Sequence, residues 1–207
     1  MKYKIIPTLI AKNQKELDNL MRNYSEHFNY FQIDVMDGRF VKNKSNWFKF
    51  KLNKKYKYEA HLMVDKPEEW IKKYYKHFQV LIANFERVKD PLGLIQFVKS
   101  KNKKIGFALN PATSVKDIIP YLNYLDMVLI LAVYPGQYGA KFLNSTYKKI
   151  KLLRRNYDGI IEVDGHEDPM HINKLKKFGA NYFAVGSYLK SAKNLDKAVI
   201  ELKKSLK

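Results

Sequence analysis

Cysteine is absent from this chain of 207 residues, which excludes disulfides and leaves histidine, carboxylate, amide or water as the ligands for any metal. Hard or borderline divalent ions are therefore favoured. No run approaches the ~20 consecutive apolar residues of a membrane span, and the opening Met1-Lys2-Tyr3-Lys4 lacks the longer apolar segment of a secretory signal. The sequence predicts a soluble, cytoplasmic protein with no membrane partner. Arginine is scarce: only Arg22, Arg39, Arg87, Arg154 and Arg155 among 39 basic residues, in a chain of formal net charge +19. Such a surplus invites a nucleic-acid reading, because neutralising phosphates releases counterions. Specific recognition of phosphates and bases, however, leans on arginine's planar fork, and the lysines here are spread along nearly every polar face. They read as solvated faces that steer anionic substrates modestly, and no nucleic-acid partner is expected. No linker, low-complexity tract or charge block divides the chain, so one domain over residues 1–207 is expected.

What is present is an alternation of short apolar runs with segments of helical period, the pattern of a βα-repeated fold. Tyr3–Leu9, Tyr30–Val35, Tyr58–Met63 and Val80–Phe85 supply four strands; Lys104–Leu109, Met127–Val133, Ile160–Asp164 and Tyr182–Val185 supply four more. Eight strands fit a closed (β/α)8 TIM barrel near the lower size limit of ~200 residues. Asn13 can cap a helix bearing Leu17, Leu20 and Met21; Pro67 sits early in one bearing Trp70, Ile71, Tyr74 and Tyr75. Ser114 can cap a helix through Val115, Ile118 and Ile119, and Asn144 or Ser145 can open one holding Ile150, Leu152 and Leu153. A last helix runs from about Leu195 to Leu206, and a weakly periodic one is expected between Lys44 and Lys55.

In a parallel barrel the strand C-termini open onto the face where chemistry is done. Asp34 and Asp164 arrive there from opposite halves of the chain, each after an apolar run and just before a glycine turn. Either each aspartate caps backbone N–H groups, or the two form the pair that two-base proton transfer needs. His61 closes the run from Tyr58 and reads equally as a satisfied core residue or, with the two aspartates, as part of a divalent-metal set. Gly136, Gly139, Gly165 and Gly186-Ser187 follow the last three strands, where barrels commonly bind phosphate through backbone N–H groups. His166, two positions after Asp164, reads as a loop residue or as one reaching metal or substrate; His27, His77 and His171 read as surface residues. The aromatic content of 14% would suit a homo-oligomer interface and equally the seams between helices and strands.

Taken in order, these segments resemble the ribulose-phosphate 3-epimerase family, including its allulose-phosphate-like members, over nearly the whole chain. The likeness is carried by Pro7, Asp34-Val35-Met36-Asp37-Gly38, His61-Leu62-Met63-Val64 with Pro67-Glu68, and Leu109-Asn110-Pro111-Ala112-Thr113. It continues in Pro135-Gly136 with Gly139 and Phe142, Glu162-Val163-Asp164-Gly165, and Gly186-Ser187. The resemblance implies a metal-assisted 1,1-proton transfer that inverts C3 of a phosphorylated ketose through an ene-diolate. Asp34 and Asp164 would be the two acid/bases, and Asp34, His61 and Asp164 would hold one divalent ion (Zn, Fe, Mn or Co). Met36 and Met63 would wall the intermediate. The partner would be a small sugar phosphate, met at Gly136, Gly139, Gly165, His166, Gly186 and Ser187.

The departures concentrate at the site. A histidine expected two positions before the first catalytic aspartate is Gln32, so Gln32 or His166 would complete the metal set. A substrate-contacting serine falls at Ala11, a strand-four histidine at Asn84 with Glu86 kept, and the loop P-G-F-G-G-Q reads Pro135-Gly136-Gln137-Tyr138-Gly139-Ala140. The second glycine after Asp164 is His166. Retention of both aspartates points to a changed substrate, such as a longer ketose phosphate, with Tyr138 and His166 reshaping the phosphate end. The alternative is an impaired member that binds sugar phosphates without turning them over.

Overall fold

Each apolar run becomes a strand, and each strand finds a parallel partner. The computed structural model, which describes residues 2–136, 140–165 and 167–207, has β1 (Lys4–Leu9), β2 (Tyr30–Asp37), β3 (Lys44–Ser45), β4 (Lys57–Met63), β5 (Val80–Asn84), β6 (Lys104–Leu109), β7 (Met127–Leu131), β8 (Ile160–Asp164) and β9 (Tyr182–Val185). The sheet closes because β1 pairs in parallel with β2 on one side and with β9 on the other. Apart from β3, which lies antiparallel to the end of β2, the strands form the eight-stranded barrel expected. Side chains alternate across each strand. One face packs outward in a continuous apolar core under the helices; the other fills the barrel with Val80, Ile82, Ala108, Met127, Leu129 and Leu131 on one flank.

The helices begin where short polar side chains can serve their first N–H groups. Asn13 accepts the Glu16 N–H to open α1 (Gln14–Tyr24), and α2 (Pro67–Tyr74) starts on proline. An Asp-Pro pair opens both α3 (Pro91–Ser100) and α5 (Pro169–Phe178), with Asp90 and Asp168 accepting the Gly93 and His171 N–H groups. These two helices were not singled out by apolar spacing. Asn144 precedes α4 (Ser145–Arg154), α6 (Ser187–Lys190) is a single turn after β9, and α7 (Leu195–Ser205) closes the chain.

Two expectations are corrected. Residues Val115–Tyr124 are a 3-10 run, with Pro120 inside it; proline removes an N–H donor and crowds the preceding turn, which an α-helix does not tolerate. No helix forms between Lys44 and Lys55. Instead β3 returns along β2, and an extended stretch covers the outer side of β2 and β4 with aromatic rings. Phe50 is buried, stacked on Tyr74 with ring centroids 5.7 Å apart and edge-on to Phe78 at 6.2 Å. Phe48, Leu52 and Tyr56 pack beside it. The missing helix is replaced by apolar area, which is what the covered strands need.

Candidate active site

Register brings the first two site residues together: Asp34 on β2 lies directly opposite His61 on β4. Asp164, the last residue of β8, reaches the same point. His61 Nδ1 stands 3.4 Å from Asp34 Oδ1 and 3.2 Å from Asp164 Oδ2. His61 is fully buried and Asp34 nearly so, whereas the Asp164 side chain is 17% exposed. Neither aspartate is spent on capping a helix. The turn that follows β2 is made by Asp37, whose carboxylate accepts the N–H groups of Arg39, Phe40 and Asp65. Burial alone would raise Asp37, and those N–H groups hold it below the usual carboxylate range.

Burial, then the charge of Asp164, push Asp34 up to about 6 against the pull of His61. Burial lowers His61, but the two carboxylates overcome it and raise the imidazole to about 10. The same negative potential that favours a proton on the buried imidazole favours a cation at this point. The donors suit one: an oxygen or nitrogen from each of Asp34, His61 and Asp164 lies within 4.8 Å of the others, and among the described residues His61 Nε2 has no hydrogen-bond partner. Gln32, fully buried two residues before Asp34 on the same strand face, also leaves both amide atoms without a hydrogen-bond partner among the described residues. It is available as a carbonyl donor. His166, Tyr138 and Gly139 lie outside the described residues.

Beneath this set is a polar layer to which motif reading gave no role. Glu59 and Glu162, each two residues before a site residue on the same face, are fully buried, and each influences the other's ionisation. Tyr30 donates to Glu59 at 2.8 Å, and the Lys4 ammonium lies 3.1 Å from the Tyr30 ring centroid. Burial raises Glu59 to about 7 and lowers Lys4 to about 8. Strand alternation counted back from His61 and Asp164 is the signal that would have found them.

Above the set opens a cavity of about 720 Å³. Asp34, Asp164, Met36 and Met63 line it, and the two methionines form an apolar wall with Val41. Gly136, Gly165, Gly186 and Ser187 line its rim. Ala11 is buried and takes no part; the hydroxyl on the cavity near the end of β1 is Thr8. Asn84 donates to Asn110, and Glu86 accepts from the Asn110 N–H and the Thr113 hydroxyl. His27 pairs with Asp196, and His171 is half-buried against Phe142 and Asp168, rather than lying free on the surface.

The segment after β2 crosses this opening. Ser45 and Asn46 donate to the Asp34 carbonyl, and Asn43 donates to the Gly136 carbonyl at 2.5 Å. Since β2 and β7 are opposite in the ring of eight, this strap spans the mouth. Gly136 has a positive φ of 78°, and a side chain there would strike Val41. Glu167 is a further residue missed in the sequence: it is buried, lines the cavity and accepts the Gly165 N–H at 2.6 Å. Burial and Asp164 raise its carboxyl well above the usual range.

Comparison with known proteins agrees with this arrangement. A profile described as the Ribulose-phosphate 3 epimerase family matches residues 4–190. The chain is 30% identical to ribulose-phosphate 3-epimerase of Schizosaccharomyces pombe, covering 98% of this chain and 93% of that one. It is 29% identical to the Bacillus subtilis enzyme of that name (98% and 99%) and 28% identical to the cytoplasmic isoform from Oryza sativa (98% and 94%). Among solved structures, 3-hexulose-6-phosphate synthase from Salmonella typhimurium superposes with a TM-score of 0.73 at 14% identity, over 100% of this chain and 98% of that one. A tryptophan synthase α-subunit from Pyrococcus furiosus gives 0.73 at 15% identity, over 99% and 100%. At such identities these two speak for the barrel alone.

Proposed function

Because the chain belongs to the ribulose-phosphate 3-epimerase family and is a carbohydrate epimerase, we propose that it inverts C3 of a phosphorylated ketose, a pentulose 5-phosphate or a longer homologue, by two-base proton transfer. One carboxylate takes the proton α to the ketone, giving an ene-diolate, and the other returns a proton to the opposite face. The supporting observation is that Asp34 from β2 and Asp164 from β8 both reach one imidazole, at 3.4 and 3.2 Å.

A divalent cation held by Asp34, His61 and Asp164, with the Gln32 carbonyl as a further donor, would polarise the ketone and its neighbouring hydroxyl. The methionine wall keeps water from the reacting carbon. The substrate's phosphate would meet the rim formed by Gly136, Gly165, Gly186 and Ser187, with Gly139 and His166 as further candidates. The protein would work in the cytoplasm, as the relative named for that compartment does.

The test is deuterium wash-in. The purified protein is incubated in heavy water with ribulose 5-phosphate and with hexulose 6-phosphates, and the C3 position is read by mass spectrometry and NMR. Label at C3 with inversion is expected in at least one. Tight binding without label in any ketose phosphate would make the protein a sugar-phosphate binder instead.

A further inference from the structure

One acid at the mouth is not used by the proton transfer. Glu167 is 2% exposed, lies on the cavity and holds the Gly165 N–H at 2.6 Å. That N–H belongs to a residue whose φ is +123°, at a place where a Cβ would lie 2.8 Å from Val133 Cγ2. Both the conformation and the space therefore require glycine. In barrels of this architecture, the loops after the last two strands, together with a short extra helix, present backbone N–H groups to phosphate. Here those parts are the Gly165 loop after β8 and the single turn α6 after β9. One of the N–H groups such a site would use is already engaged by the protein's own carboxyl group.

A backbone N–H is one donor, and a carboxyl and a phosphate compete for it through the same kind of acceptor oxygen. Gly186 and Ser187, on the adjacent arm of the rim, line the same cavity and are not covered by that contact. We propose that Glu167 is a specificity-determining residue: it occupies the Gly165 N–H in place of a substrate oxyanion, weakening phosphate binding at the β8 loop and confining the substrate's phosphate to the arm formed by Gly186 and Ser187. The inference rests on the reading of the cavity as a sugar-phosphate site. The occupied amide makes phosphate placement a property of one arm of the rim instead of two.

Calorimetric titration of inorganic phosphate into the full chain and into Glu167→Ala, Glu167→Val and Glu167→Gln tests it. Alanine and valine both free the amide, the second while refilling the buried space, and phosphate is expected to bind at least about tenfold more tightly to them. Glutamine keeps an acceptor oxygen for the Gly165 N–H and should tighten less. Unchanged phosphate affinity in the alanine or valine variant, or a glutamine variant that tightens as much as they do, overturns the proposal. Tighter phosphate with no deuterium entering any ketose would remove the epimerase reading alone. Deuterium exchange with unaltered phosphate affinity would remove this inference alone.

Discussion

Replacing Gly165 by alanine should destabilise the fold through two separable effects. The backbone at φ +123° is one that a side chain adopts at a strain of about 1–3 kcal/mol. The added methyl would also lie 2.8 and 3.1 Å from the Val133 methyls and 3.0 Å from the Val133 nitrogen; relieving such an overlap typically takes another 1–3 kcal/mol or so. Together they predict a loss of roughly 2–6 kcal/mol, a large part of the ~5–15 kcal/mol that holds a domain folded. Urea denaturation gives the value directly, with an unchanged slope if the unfolded state is unaltered. Adding Val133→Ala removes the two methyls but neither the strained φ nor the nearby nitrogen, so the double variant should recover part of the loss, about 1–2 kcal/mol in a double-mutant cycle. Because Asp164 is the neighbouring residue and its carbonyl accepts the Ala132 N–H at 2.8 Å, the same shift should displace the carboxylate proposed as an acid/base and lower turnover by about 100-fold. An alanine variant within 1 kcal/mol of the parent, or a strictly additive cycle, would refute the assignment of strain to this loop.

Other outcomes follow from the same site. Asp34→Asn and Asp164→Asn should each lower C3 deuterium exchange by roughly 100- to 10,000-fold, read by NMR; retention of exchange in either removes it from the proton path. Extensive dialysis against chelator should lower both exchange and the melting temperature, and His61→Ala should lower divalent-ion content in elemental analysis; equal content in parent and variant would exclude His61 as a ligand. Lys4 is lowered to about 8 from 10.5 mainly by burial, so above pH 8 the unfolded chain binds the extra proton. Its contribution therefore makes stability rise between about pH 8 and 10.5, and Lys4→Met should flatten that rise in urea titrations. Phe50→Ala should cost about 3–5 kcal/mol, measured by denaturation, if its ring does replace a covering helix.

The barrel was legible because short, mainly apolar runs recur between segments of helical period, the mark of a parallel sheet covered by helices. Asp34, His61 and Asp164 were legible because a polar residue at the end of such a run must face the mouth or be left unpaired. Glu59 and Glu162 needed one further step, counting back two residues along the strand, to place them inside the barrel. The stretch from Lys44 to Lys55 misled because lysines alternate with aromatic residues there at no fixed period, and what decides its form is the neighbouring Trp70, Tyr74 and Phe78, distant in sequence. Glu167 and Asn43 were invisible for a related reason: a loop side chain's partner is set by how two loops come together, and no periodicity encodes that.

The helix-less flank gives the protein a built-in optical reporter. Its two tryptophans stand at either end of that flank's reach: Trp47, 45% exposed, borders the cavity, while Trp70, 5% exposed, sits in the aromatic stack with Tyr74 at 4.8 Å. Indole emission should therefore separate into a water-shifted component, quenched as ligand fills the mouth, and a shielded one that changes only when the flank loosens. A single fluorescence titration can then follow occupancy and packing at once, without a label.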